Sequence, residues 1–356
     1  MKALLLYLLL TLSFTAGAYV PEKGRASRPK MEVIAEESRD GYDCRYISFL
    51  TQKDERIKAY LLVPQDILKG EKRPAVLMLH DHGARFDIGK EKLVRPMAEV
   101  LEDGTEDHIM KSSRQWIDKN FDGVYLADSL ASLGYVVLVA DALYWGERSS
   151  EDAQRWSELS YGNHQMTKAV KDSIKVLKNS VYEGQKVLYD ELYSRNVIWA
   201  EKMLRDDIAS VRLLKSLSFV DSKRIGAFGF SMGAHRCWML AAFCKDVKCG
   251  VALSWMTTLD REERMKASDY SMAIMQMRER MDFGDIGKYL APKPILFLSG
   301  TTDHLFPKEK VEVAFEILRN HYGDCPEKLE TQFFEGGHHC GKKVQTVIVR
   351  YFDENL

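Results

Sequence analysis

Hydrophobic positions along the chain fall into short continuous runs separated by longer amphipathic stretches. Residues 74–80 (PAVLMLH), 135–140 (YVVLVA), 225–230 (IGAFGF), 250–255 (GVALSW) and 294–300 (PILFLSG) are almost wholly apolar, as strands buried on both faces of a parallel sheet are. Ahead of them, residues 31–36, 44–52 and 56–63 alternate apolar with polar, the pattern of antiparallel strands at a sheet edge. Residues 329–335 (LETQFFE) alternate in the same way near the other end. Helical spacing fills the intervals. One helix is expected over 125–133, ending at Gly134. An amphipathic helix carries Met166, Val170, Ile174, Leu177 and Val181, with Lys168, Lys171, Lys175 and Lys178 as its solvated faces. A further helix with Leu204, Ile208 and Val211 leads to a turn at 220–223. Residues 85–120 read as polar and irregular, with an acidic patch at 99–107. Strands alternating with helices predict an α/β fold, a mostly parallel doubly wound sheet with antiparallel N-terminal edge strands. A single domain is expected over 31–356, with helical insertions at about 150–200 and 257–288.

The first 18 residues break this pattern. One lysine, a leucine-rich run and then Ala16-Gly17-Ala18 form the n-region, core and small-residue cleavage site of a secretory signal peptide. The run is too short to span a bilayer, and no other stretch reaches the ~18 apolar residues a span needs. Export to a periplasm or the medium is therefore expected, with 19–30 a flexible lead-in. Hydrophobic residues make up 46% of the chain and charged ones 29%, enough for a large core. A formal net charge of −1 favours neither nucleic acid nor an anionic membrane surface as partner. Oligomeric state is not encoded in any of these features. Export permits disulfides among Cys44, Cys237, Cys244, Cys249, Cys325 and Cys340, although a chain this long does not require them. Cys340, two residues beyond His338, suits either a bridge bracing that loop or a buried thiol.

The candidate chemistry sits where an apolar strand meets a helix. Gly229-Phe230-Ser231-Met232-Gly233 follows the run at 225–230 and precedes Ala234, Trp238, Met239 and Leu240, so a G-x-S-x-G lies on a strand–turn–helix. Glycine is required at 229 and 233 because the elbow forces Ser231 into a strained backbone, and side chains there would strike the adjoining strand and helix. Ser231 is the candidate nucleophile. A serine hydroxyl needs a base, and the base needs an orienting acid. Asp303 ends the strand at 294–300, and Gly336-Gly337-His338-His339 follows the last strand. The order serine, acid, histidine is that of a hydrolase C-terminal half. His338 is assigned as the base, whereas His339 and His304 are expected to point into the protein. The turn Asp81-His82-Gly83-Ala84 after the strand at 74–80 supplies one oxyanion N–H, from His82 or alternatively Ala84, and Met232 supplies the other. Taken as metal ligands, His80, His82, His338 and His339 match no zinc spacing. No metal or cofactor is called for. Tyr144-Trp145-Gly146-Glu147-Arg148 falls on the rim, where its aromatics line a pocket or pack on the surface. Met256, Met265, Met272, Met275, Met277 and Met281 either floor an adaptable pocket or fill core gaps.

Together GFSMGAHR, HDHGA, GTTDHLFP and EGGHHC resemble the dienelactone-hydrolase and acetyl-xylan-esterase-like branch of the α/β-hydrolases, from about residue 56 to the C-terminus. The resemblance implies a Ser231–His338–Asp303 triad with oxyanion amides at His82 and Met232. It also implies an exported esterase acting on a small-molecule or polysaccharide ester. Dienelactone hydrolases use a cysteine nucleophile, so serine at 231 favours the esterase side. Glucuronoyl esterases, also related, bridge a cysteine two residues after the histidine to one just before the serine. Here Cys340 stands in the first place and Phe230 in the second. Two other readings keep the fold: a prolyl-oligopeptidase-type peptidase, for whose propeller the chain has no room, and a non-catalytic binding protein.

Overall fold

The structure, a computed structural model, describes residues 30–52, 55–97, 107–260 and 269–356. The leader and lead-in expected before Lys30, most of the acidic patch and Met265 lie outside the described residues. Strands β1 (Met31–Arg39), β2 (Tyr42–Gln52), β3 (Glu55–Pro64), β4 (Arg73–Leu79), β5 (Val136–Ala140), β6 (Val220–Phe230), β7 (Cys249–Leu253), β8 (Ile295–Gly300) and β9 (Leu329–Phe334) form one sheet. Its order is β1-β2-β3-β5-β4-β6-β7-β8-β9. β1, β2 and β3 run antiparallel to one another and β3 antiparallel to β5, and every pair from β5 to β9 is parallel. β1 is largely exposed and carries Glu32, Glu36 and Glu37, charges that keep an open edge from pairing with another chain.

The helices are α1 (His108–Asn120), α2 (Leu126–Ser132), α3 (Glu151–Tyr161), α4 (Lys168–Ser194), α5 (Trp199–Ser216), α6 (Met232–Phe243), α7 (Lys308–His321) and α8 (Lys342–Asn355), with short helical turns elsewhere. Successive strand residues face opposite sides, which splits the core in two. Leu77, Leu79 and Leu138 pack with residues of α5, α6 and α7, while Val76, Met78, Val137 and Val139 pack with α1, α2 and α8. β4 is the switch point. The connection leaving β4 returns to β5 on one side, that leaving β6 goes to β7 on the other, and a crevice opens beyond the carboxyl ends of β4 and β6.

Two local expectations fail. Residues 85–120 are not irregular throughout, since 108–120 form α1 and Lys90–Lys92 a buried helical turn. α1 escapes hydrophobic periodicity because its inward face includes Ser112, Ser113 and Asn120 beside Trp116 and Ile117. Nor is 220–223 a turn. β6 starts at Val220, paired with Arg73, and the register shifts before Ala75 meets Ile225, so the polar residues form a bulge inside the strand.

Candidate active site

Ser231 caps β6 and precedes α6, with φ 54° and ψ −122°. This left-handed backbone is costly for a residue with a Cβ. Three contacts hold it: the Ser231 N–H donates to the Leu253 carbonyl at 2.8 Å, and the Ser231 carbonyl accepts from Ala234 N (2.7 Å) and His235 N (3.2 Å). A Cβ on Gly229 would overlap the Gly233 carbonyl, and one on Gly233 the Leu79 carbonyl, so both elbow glycines are steric requirements. α6 is anchored from behind, where buried Arg236 binds Asp207 of α5 through Nε (3.1 Å) and Nη2 (2.6 Å). Burial nonetheless raises the Asp207 pKa, with Arg236 opposing the rise.

His338 enters from the loop after β9. Its Nδ1 lies 2.7 Å from Asp303 Oδ2, and a carboxylate there accepts, so Nδ1 carries the proton and Nε2 is left as acceptor. Asp303 is itself fixed, for Oδ1 accepts from Leu305 N (2.9 Å) and Phe306 N (3.3 Å). The imidazole packs against two rings, Phe230 at 4.9 Å and Phe306 at 5.8 Å between centroids. Phe230 precedes Ser231, so the acid and histidine of the β8 and β9 loops converge on the elbow. Ser231 Oγ and His338 are not hydrogen-bonded to each other, a bond that commonly tightens only with substrate present.

The other histidines separate cleanly. His339 is surface-facing, with Nε2 3.0 Å from Asp122 Oδ1 and over a third of the side chain exposed. His304 is exposed as well. Both depart from the expected inward orientation; for His339 the loop is clamped from outside, where Cys340 N donates to the Asn120 carbonyl (2.9 Å) and Lys342 N to Asp122 Oδ2 (2.9 Å). These bonds brace the histidine loop. Cys340 is a free, fully buried thiol whose pKa burial pushes well up, and the other five cysteines are free too.

Residues 116–283 match the dienelactone hydrolase family. The chain has the α/β-hydrolase fold. It is 26% identical over 242 residues to YtaP of Bacillus subtilis, a protein provisionally named a hydrolase. The match takes in 67% of this chain and 63% of that relative. Among solved structures it is similar to a Bacteroides fragilis protein provisionally named an acetyl xylan esterase. There the identity is 16% and the TM-score 0.59, covering 86% of this chain and 70% of that one. The glucuronoyl esterase of Solibacter usitatus is 9% identical with a TM-score of 0.60, covering 94% and 88%. What these structures share with this chain at such identities is the fold.

The turn after β4 completes the site. Gly83 and Ala84 have φ of 56° and 52°. The Ala84 N–H donates to His82 Nδ1 at 3.0 Å, which takes it from the available oxyanion donors. Among the described residues the His82 N–H has no protein partner. Met232 is the first residue of α6, where an N–H has no intrahelical acceptor. Burial lowers the His82 pKa to about 4 and that of His80 well below the usual range, so both stay neutral. His80 Nδ1 donates to the Asp81 carbonyl (2.9 Å) and its Nε2 accepts from Ala142 N (3.0 Å), leaving no nitrogen for a metal. No group of three or more His, Cys, Asp or Glu residues suited to a metal ion occurs among the described residues.

Sequence reasoning missed what lies under this turn. Lys90, fully buried, reaches Asp141 (2.8 Å), Glu91 (2.8 Å) and Glu147 (3.2 Å). Burial would lower its pKa, but the Asp141 and Glu91 carboxylates outweigh it and raise it. Lys92, also fully buried, reaches two backbone carbonyls of the turn. No hydropathy pattern marks a lysine as internal. Trp145 and Tyr144 belong to the core and not to the rim or surface, and Trp145 Nε1 donates to the His82 carbonyl at 3.0 Å. Met256 and Met272 are buried in that core, while Met272, Met277 and Met281 line a cavity beside His235, Trp238 and Met239 of α6.

Proposed function

We propose that this α/β-hydrolase is an exported serine esterase that cleaves carboxylic esters, short acyl groups on a carbohydrate being its substrate class. The observation that carries the reading is the 2.7 Å Asp303–His338 pair, delivered to the crevice where Ser231 stands at positive φ. His338 Nε2 takes the Ser231 proton as Oγ attacks the ester carbonyl carbon. The carbonyl electron pair moves to oxygen, which the His82 and Met232 N–H groups receive. His338 then gives its proton to the departing alcohol, leaving an acyl group on Ser231. Water, deprotonated by His338, releases the acid and restores the enzyme. The carbohydrate part of the reading draws on the esterases of similar fold, and export on the first 18 residues.

The test uses residues 19–356 with p-nitrophenyl acetate and butyrate, acetylated xylan and a proline amide, alongside Ser231→Ala and a fluorophosphonate label. Wild type is expected to cleave the esters and to label once per chain, and Ser231→Ala to do neither. A folded wild type that neither turns over nor labels refutes the mechanism, and cleavage of the amide but not the esters replaces it with a peptidase. The exported full-length chain is expected to begin at Tyr19. An exported form retaining residues 1–18 removes the leader assignment.

A further inference from the structure

Beneath the turn after β4, Lys92 occupies a position where an apolar residue would carry no desolvation cost. Its Nζ donates to the carbonyls of Asp81 and His82, each at 2.9 Å. The ring of Trp116 lies 5.3 Å away, and Asp81 Oδ2 3.9 Å. The nearby charges are Asp81, Asp87, Asp141 and Arg85, and burial brings the ammonium down to a pKa of about 8 despite the three carboxylates. Trp145 Nε1 holds the His82 carbonyl as well.

The consequence follows from peptide geometry. In a trans peptide the C=O and the next N–H point in opposite directions across a rigid plane. Holding the Asp81 carbonyl on the buried side therefore turns the His82 N–H away from it, and holding the His82 carbonyl does the same for Gly83 N–H. We propose that Lys92 is a positioning residue that aims the oxyanion-binding amide of His82 by gripping the carbonyls of Asp81 and His82. His80 Nδ1 also donates to the Asp81 carbonyl, at 2.9 Å, but Lys92 Nζ alone reaches both carbonyls and ties the two successive peptide planes together. The inference rests on the reading of His82 as an oxyanion donor.

Lys92→Met keeps the length and apolar stem while removing the donor. For p-nitrophenyl acetate, kcat per titrated active site should fall about 100-fold, the usual loss for a displaced oxyanion donor, while KM stays within about threefold. Affinity for an alkyl boronic acid, whose serine adduct is tetrahedral, should weaken in step with kcat/KM. A purely structural lysine would lower only the fraction of sites that titrate with fluorophosphonate. Normal kcat per titrated site in folded Lys92→Met overturns the proposal. Lys92→Gln, with a polar end on a stem one atom shorter, tests the same two carbonyls if the first variant does not fold: reduced kcat at constant KM supports the grip, and unchanged kcat overturns it. Ser231→Ala separates the two levels. If it is inactive and Lys92→Met is normal, only the positioning role falls; if it is active, the esterase reading itself falls.

Discussion

Asp303→Asn changes one atom, and the surrounding bonds determine what that atom does. In the wild type, Oδ1 accepts from two backbone N–H groups, of Leu305 and Phe306, while Oδ2 accepts from His338 Nδ1. An asparagine has one oxygen to offer. If it serves the two amides, the NH2 group faces His338 and donates to Nδ1, so the imidazole must carry its proton on Nε2 and cannot take one from Ser231. If the amide flips, the histidine is satisfied but NH2 meets two N–H donors. Losing both bonds and stranding both donors costs about 2–4 kcal/mol, so the first orientation wins. The wrong tautomer in such a triad lowers kcat about 10⁴-fold, or about 5 kcal/mol in the barrier. Steady-state hydrolysis of p-nitrophenyl acetate measures the loss, thermal unfolding should show a nearly unchanged midpoint, and ¹⁵N NMR should find the His338 proton on Nε2. A folded variant with more than a tenth of wild-type kcat refutes the argument.

Gly233→Ala places a methyl group into the Leu79 carbonyl. Overpacking of this kind costs about 1–3 kcal/mol, and the displaced elbow should lower kcat about 100-fold; urea unfolding and kinetics measure both, and normal values would mean that the elbow tolerates a side chain. His339→Ala removes a partly exposed pair with Asp122, so its kcat should stay within about threefold while His338→Ala is close to inactive. A thiol titration of the native protein should find at most the partly exposed Cys325 and all six after denaturation; fewer than six without reductant would reveal a disulfide. Lys92 links stability to pH: its folded pKa of about 8 lies below the ordinary ~10.4 of an unfolded lysine. The unfolded chain therefore holds more protons between those values, and wild type should gain stability relative to Lys92→Met as pH rises from 8 to 10. An unchanged difference would mean that Lys92 titrates normally.

The central strands were legible because burial on both faces writes an unbroken apolar run, and the elbow because its chemistry is local: Gly229, Ser231 and Gly233 act within five residues. Asp303 and His338 could be placed by chain order alone. What could not be read depends on packing between distant segments. α1 buries Ser112 and Ser113 by bonding them to Asp87 and to the Glu91 carbonyl, which erases the apolar stripe that would have announced a helix. Trp145 lies inside because Phe86 and Trp199 of α5 pack against it, and nothing in YWGER encodes a cover. His339 turns outward because Asp122, over two hundred residues earlier, is there to meet it. Lys92 looks like any surface lysine until the turn it grips is folded over it.

The aromatic rings around His338 bear on the charge that the reaction creates. In the proposed mechanism each half of the cycle makes an imidazolium for an instant, and that cation forms beside the rings of Phe230 and Phe306, at 4.9 and 5.8 Å between centroids. An aromatic face carries negative electrostatic potential, so a cation held against it gains about 0.5–2 kcal/mol. The same rings cover part of the imidazole, whose side chain is 15% exposed, and their packing resists its turning away from Asp303. Phe230 thus holds the histidine by dispersion and by the quadrupole of its ring, an attachment that no reducing agent can open.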